Sequence, residues 1–441
     1  MKTIPVAGLA ATAACSHSAS GESAGEKSAA GSNIEMPAGT GGDLEFSKEE
    51  YARRYDGVRA GMVEAELDAL IVTGCREWYL GDLANLKYLG VPLDWTRTYM
   101  VLPLDRDPVV FNRIPGFPIF KELSPGGPPP MPQGKPPVVN FEKAFSKPRP
   151  GSRFSGDHAP SIAKALSDMG LSSGRIGIVS MRVVPADVVL ALQSALPNAT
   201  FVDAESILVK MRYYKSAEEQ QFLRRSGYIA DVGFAAAVEA SRVGATDLDV
   251  FYAADIACAK AGAPAGGFQL VGTGKWGGKK SDVLIAPGKQ TALETGHVMV
   301  PEIGSDYHGY YTQLSAPISL GEPSDEFYQA MELCDKVYAF NLTQMVAGKT
   351  VWEVDQACHE FTKDASNGAF GTVFGIQAGE HERTFFHDDY ELKPGAMAYN
   401  QPFFLPMQKP GGPFHVYGDA LLITDGAPER LHQTPMELVI V

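Results

Sequence analysis

TGHVMVPEIGSDYHGYYTQLSAPISLG, residues Thr295 to Gly321, reads as a tight β-hairpin. Val298 to Ile303 is an apolar run of strand length. Gly304-Ser305-Asp306 is turn chemistry, and Tyr307 to Leu314 reads as the return strand. On this parsing Glu302 and Gln313, eleven positions apart, face each other across the hairpin. A carboxylate in an apolar strand needs a partner, because an unpaired buried charge is costly.

Before this hairpin the chain alternates between helix and strand. Ser47 to Glu64 has helical spacing, with Ser47 and Glu50 placed as a capping box. Leu67 to Val72 (LDALIV) is a short buried strand, and Thr98 to Leu104 and Pro108 to Asn112 are two more. Ser161 to Met169 reads as helix, Arg175 to Ser180 as strand, Pro185 to Leu196 as helix and Thr200 to Asp203 as strand. The alternation predicts a small α/β domain over residues 45–210. Residues 115–152 are dense in Pro and Gly and too long for an ordinary connection, so they read as an exposed insertion or a lid.

Met211 to Glu218 marks the boundary with a second domain, residues 211–441. Ser216 is set to cap a long helix, Ala217 to Val243, which is followed by a second, Leu248 to Ala261. Strands dominate from Gly267 to Ile318. Two helices follow, Ser324 to Val346 and Val351 to Ser366, and the remainder reads as sheet. The second domain is therefore α+β, with helices over a curved antiparallel sheet.

Composition narrows the function classes. A chain of 441 residues can bury two sizeable cores. A net charge of −14 argues against nucleic acid or an anionic membrane surface as partner, since both need clustered Lys and Arg. Met1-Lys2 followed by the small-residue apolar run Ile4 to Ala14 reads as an export signal over residues 1–15. Ala13-Ala14-Cys15 resembles a bacterial lipoprotein cleavage box, with Thr12 where Leu is usual. Cys15 is then a lipidation site and the protein periplasmic or anchored in the cell envelope; a merely disordered start is the competing reading. Residues 16–44, rich in Ser, Gly and Ala, read as a flexible tether. Cys75, Cys258, Cys334 and Cys358 have no metal-ligand spacing and read as buried thiols, with one disulfide open to an exported protein.

Several stretches together resemble the creatinase/prolidase/aminopeptidase P family. They are Leu67 to Val72, Tyr214-Lys215-Ser216-Ala217-Glu218-Glu219, Gly309-Tyr310, Leu392-Lys393-Pro394-Gly395 and Asp419 to Gly426, in family order. The resemblance implies a creatinase-like α/β N-terminal domain, a C-terminal domain of the α+β pita-bread fold, and a homodimer. Active members hold two metal ions with two Asp, one His and two Glu. Carried over one by one, those positions fall here on Glu302, Gln313, Phe374, Gln401 and Gly418. One carboxylate, two amides, a phenyl ring and a glycine are poor ligands for a pair of divalent ions, so no metal and no other cofactor is expected. The competing reading is a metal site built elsewhere from His387, Asp388, Asp389 and Asp419; these lack recognisable ligand spacing, and HDDY reads more simply as a solvated turn.

Creatinase is a metal-free member of that family and cleaves a C–N bond with acid/base side chains. The loop that carries its key histidine corresponds to Gly272 to Pro287, which here has no histidine. The remaining proton carrier is His381, from the stretch FGIQAGEHERT, with Glu302 or Glu382 to orient it. Gln313 and Gln401 are candidate polar contacts to substrate. Trp276, Tyr311, Phe374 and Tyr399 are candidates for an aromatic lining, and Lys279 for an anion clamp. The competing readings are a structural His381, core aromatics and a solvated lysine loop. The expectation is a metal-independent enzyme that hydrolyses or eliminates at a C–N or similar bond of a small polar metabolite. The alternatives are a non-catalytic binder of a small molecule or short peptide, and an Xaa-Pro metallopeptidase.

Overall fold

The computed structural model describes residues 34–74, 83–91, 97–111, 138–139, 158–263, 269–275, 281–285, 290–365, 371–377, 390–405 and 417–441. The Cys15 signal, Cys75, nearly all of the insertion at 115–152 and the HDDY stretch at 387–390, except Tyr390, lie outside them. Among the described residues no helix is long and apolar enough to cross a membrane.

In the first domain, β1 (Ala69–Gly74), β2 (Thr98–Pro103), β3 (Val109–Phe111), β4 (Val138–Val139), β5 (Arg175–Val179) and β6 (Thr200–Asp203) form one sheet in the order β4-β3-β2-β1-β5-β6. The central strand β1 is buried at every position, which is why it reads as a continuous apolar run. Its residues alternate between two cores. Leu70 and Val72 pack on Tyr55, Val58 and Met62, while Ile71 packs with Ile162, Leu166 and Leu192 on the opposite face. The helix Glu205–Tyr213, which runs into the stretch read as boundary, adds Ile207 and Leu208 to the first of these cores.

Ser47 caps the helix Lys48–Glu64 by accepting from Glu50 N. The reciprocal half of the expected capping box is made by another residue. The Glu50 carboxylate is taken by Arg53 and Arg54, and Ser47 N donates instead to Glu218 Oε2 of the second domain at 2.8 Å. Burial of Arg54 demands a carboxylate more strongly than the cap does. The tether reading also changes at its C-terminal end. Glu35 and Gln433 exchange two hydrogen bonds, and Leu44 N donates to Tyr307 Oη at 3.1 Å. Phe46, just beyond, stacks on Phe222 with ring centroids 4.0 Å apart. Residues 34–44 are thus packed on the second domain.

The second domain holds β7 (Gln269–Lys275), β8 (Ser281–Ile285), β9 (His297–Tyr307), β10 (Tyr310–Ser315), β11 (Ile318–Ser319), β12 (Gly371–Gln377), β13 (Met397–Leu405), β14 (Asp419–Leu422), β15 (Glu429–Arg430) and β16 (Val439–Ile440). One sheet runs β16-β11-β9-β7-β8 with β10 on β9, and another runs β12-β13-β14-β15. Helices Ala217–Ala240 and Asp247–Ala261 cover the first through Phe234, Val250, Ala254, Met299, Ile303 and Leu314. Helices Asp325–Gln344 and Val351–Ala365 cover the second through Val337, Val354, Ala396, Ala398 and Leu421. This is the predicted α+β domain.

Ser216 makes a complete capping box with Glu219 at the start of the long helix. Ser216→Ala is expected to cost about 1 kcal/mol, read as a lower urea midpoint at unchanged slope. The helix stops at Ala240, short of the expected Val243, where Ser241 Oγ turns back to Ala237 O at 2.6 Å and Gly244 takes a φ of 88°. Cys258, Cys334 and Cys358 are buried thiols, as expected. Burial pushes the Cys358 thiol up to about 12, so it stays protonated and inert.

Candidate functional site

The hairpin turn is not Gly304-Ser305-Asp306. Strand β9 continues through all three residues, and the chain reverses at His308-Gly309, with φ values of 53° and 97°. Two consecutive positive φ angles give a turn whose twist matches that of the flanking strands. Asp306 Oδ1 accepts Gly309 N at 2.6 Å and closes it. The short turn sets the register: Glu302 lies opposite Ser315, and Gln313 opposite Gly304. The expected direct pairing of Glu302 with Gln313 is therefore corrected to a diagonal one. Residues directly opposite share a face, so Glu302, Gly304, Gln313 and Ser315 still share one.

The two sheets meet on this face. Ser315 and Gly418 exchange backbone hydrogen bonds of 2.8 and 3.0 Å. Asn400 is registered to Asp419, which continues to bring Gln401 beside Gly418, and Gln401 is registered to Gly375 of β12. A strip thus runs across both sheets through Glu302, Ser315, Gly418, Gln401 and Gly375, with Gln313 and Gly304 one pleat along. Gly304, Gly375 and Gly418 contribute no side chain to it. Glu302 is 7% exposed, and Gln313 and Gln401 are each 1% exposed.

The opposite face of the second sheet explains why the strip is held in place. Asn400 Oδ1 accepts Asn341 Nδ2 at 2.8 Å, and Asn400 Nδ2 donates to Tyr338 O at 3.0 Å. Tyr338 Oη donates to Asp419 Oδ2 at 2.7 Å, and Arg430 Nε donates to the same oxygen. Burial, and then the charge of Asp419, push the Tyr338 phenol well above its ordinary range, so it remains a donor. These bonds lock β13 and β14 to the helix Asp325–Gln344. Asp419 is a structural anchor here and not a member of the strip.

The strip itself is not hydrogen-bonded to completion. Both polar atoms of Gln401, Oε1 and Nε2, are buried without a partner among the described residues, and so is Gln313 Nε2. Buried amides in folded proteins are nearly always satisfied. An orphaned pair on one face points to a polar ligand.

The other candidates divide as follows. Tyr399 is 2% exposed, packs in the core with Leu223 and Leu431, and donates its hydroxyl to Tyr311 O at 3.2 Å. It braces the strip through Tyr311, which is half-buried opposite Asp306 on the Glu302 face. The β12 residue registered beside Gln401 is Gly375; Phe374, described in its backbone only, is registered to Pro402. His381, Glu382, Trp276 and Lys279 lie outside the described residues. Sequence reasoning missed Asp306 and Lys87. Asp306 continues the Glu302 face toward the turn, and Lys87 Nζ of the first domain reaches its Oδ2 at 3.5 Å. The Asp306-x-x-Gly309 spacing signals the first; a contact across 219 positions leaves no local signal for the second.

The donor chemistry can be set against a dinuclear metal centre. Two adjacent divalent ions need several anionic oxygens to offset their charge. At the four positions with described side-chain environments, Glu302 is the one carboxylate, Gln313 and Gln401 are neutral, and Gly418 is bare. No cluster of three or more His, Cys, Asp or Glu able to hold a metal occurs among the described residues. The residues present do not fit such a centre.

Comparison with known proteins agrees with this architecture. Residues 221–425 match metallopeptidase family M24. Creatinase from Bacillus sp. (strain B-0618) is 25% identical over 408 residues, covering 88% of this chain and 92% of that protein. Xaa-Pro dipeptidase from Pyrococcus furiosus is 24% identical over 255 residues, covering 54% of this chain and 68% of that protein. Among solved structures, an Xaa-Pro dipeptidase from Bacillus anthracis superposes with a TM-score of 0.68 at 18% identity, covering 89% of this chain and all of that one (100%). Dipeptidase PepE from Mycobacterium ulcerans gives 0.68 at 21% identity, covering 90% and 99%.

Proposed function

We propose, from the premise that this chain belongs to the creatinase/prolidase family within metallopeptidase family M24, that it is a hydrolytic enzyme of that family working without metal. Its substrate is a small polar metabolite, cleaved by hydrolysis or elimination at a C–N or similar bond. The observation that carries this reading is the strip of one carboxylate and two buried amides, with both polar atoms of Gln401 and Nε2 of Gln313 unpartnered among the described residues, at positions where the family's resemblance places metal ligands. Neutral amides bind by hydrogen bonding, and they leave proton transfer to other groups.

In the hydrolytic case His381 takes a proton from water as the water oxygen bonds to the carbon, and returns it to the departing nitrogen. Glu302 or Glu382 holds the imidazolium formed between these steps. Gln313 and Gln401 orient the substrate. Export, lipidation at Cys15 and a homodimer belong to the same proposal.

The test is elemental analysis of protein purified without chelator and then incubated with Mn, Co, Zn or Fe, together with turnover assays. Substoichiometric metal, EDTA-insensitive turnover and loss of that turnover in His381→Ala are expected. One or two tightly bound metals, with Xaa-Pro dipeptide cleavage that EDTA abolishes, would overturn the proposal in favour of a metallopeptidase. A second reading, a non-catalytic binder, draws on the fact that neither amide of the strip titrates. Ligand affinity unchanged in His381→Ala, with no turnover of any bound compound, would establish it.

A further inference from the structure

The strip is selective about hydrogen-bond polarity, and that narrows the ligand beyond "small and polar". Gln401 presents an acceptor, Oε1, and a donor, Nε2, side by side in one plane, both buried and without a partner among the described residues. Because both ends are open, exchanging the two atoms by an amide flip leaves the same mixed edge. Three ligand groups of similar size respond to it differently. A guanidinium offers only donors, one of which would abut the Nε2–H. A carboxylate offers only acceptors, one of which would abut Oε1. A ureido or primary carboxamide group carries a C=O and a syn N–H, and closes two parallel hydrogen bonds with the Gln401 edge. Gln313 Nε2, also a buried donor without a partner among the described residues, suits the second lone pair of that C=O. Glu302, on the same face, accepts a further N–H.

Resting on the reading of the strip as a substrate site, we infer that the group bound there is a neutral ureido or carboxamide function. Charged guanidinium and carboxylate groups are discriminated against by Gln401. Electrostatics alone would favour a guanidinium beside Glu302, so the polarity of the Gln401 edge is opposed by an obvious competitor and can be measured against it.

The experiment uses three matched probes, N-methylurea, N-methylguanidinium and acetate, with dissociation constants from NMR titration of the full chain. N-Methylurea is expected to bind about tenfold more tightly than either charged probe, the loss that follows from leaving a buried polar atom unpaired. Gln401→Met should erase the preference. Gln401→Glu should reverse it toward N-methylguanidinium, since a carboxylate accepts two N–H groups; a merely structural role would not produce that inversion. Thermal melts of both variants identify any that fails to fold, and the other then carries the comparison. Preference for a charged probe, absence of N-methylurea binding at millimolar concentration, or a urea preference that survives in Gln401→Met would overturn the inference. The outcome is separable from catalysis. Urea preference without turnover of any ureido or carboxamide compound keeps this inference and removes the hydrolase, whereas turnover without the preference does the reverse.

Discussion

Arg54→Ala should destabilise the protein by roughly 3 to 5 kcal/mol, the cost of leaving buried partners of a charge uncompensated. Arg54 is fully buried at 0% exposure. Its Nε donates to Glu50 Oε1 at 2.7 Å, its Nη1 to Tyr88 O at 2.9 Å and its Nη2 to Tyr310 Oη at 3.0 Å. Glu219, also 0% exposed, lies 3.7 Å from Nη2 and accepts from Tyr310 Oη at 2.8 Å. The guanidinium sits over the rings of Phe46 and Tyr88, at 3.9 and 4.5 Å from their centroids. One side chain therefore joins the segment before the first helix, that helix, the long helix of the second domain and the hairpin. Removing it leaves the two carboxylates to Arg53, which is 40% exposed and already pairs with both. Denaturation midpoints check this, and Arg54→Ala/Glu219→Gln should recover part of the loss by removing a buried charge that has lost one of its cations. A loss under about 1 kcal/mol, within the range of an exposed ion pair, would refute the account.

Gly227→Ala tests a sign. In a helix interior this exchange ordinarily gains about 1 kcal/mol from backbone entropy. Here a Cβ would stand 2.1 Å from Leu431 O and 2.9 Å from Leu431 C. Those are backbone atoms of a segment clamped two and three residues later, where Gln433 N and Thr434 N donate to Asp231 at 2.8 and 2.9 Å. Neither side has freedom to move aside, so the substitution should cost about 2 to 3 kcal/mol as overpacking. Gly61→Ala is the control: its nearest neighbour is the Ile207 side chain at 2.9 Å, which a rotamer change can relieve. Equal stability of Gly227→Ala and the parent would show that the helix and the Leu431 segment are not in fixed contact.

Much of the fold was legible because its signals are local. The apolar run at Leu67 to Val72, the caps at Ser47 and Ser216 and the order of helices each follow from a few neighbouring residues. The errors fall where distant groups compete for the same atoms. Ser47 loses its reciprocal partner to a buried arginine and takes Glu218 instead. Gly304-Ser305-Asp306 has turn composition, yet it stays in β9, because Ser305 is held by Ser226 of the long helix and His308-Gly309 supplies the turn.

The chemistry of the candidate site was a property of residue identity: a carboxylate at Glu302, amides at Gln313 and Gln401 and no side chain at Gly418 follow from covalent structure alone. Which of these share a face, that Asn400 and Asp419 anchor the opposite one, and that the Gln401 amide is buried without a partner among the described residues were decided by tertiary structure. Those facts depend on strand register and on the seam between Ser315 and Gly418. Register is set by pairings between distant segments, and hydrogen-bond satisfaction is a property of everything packed around an atom.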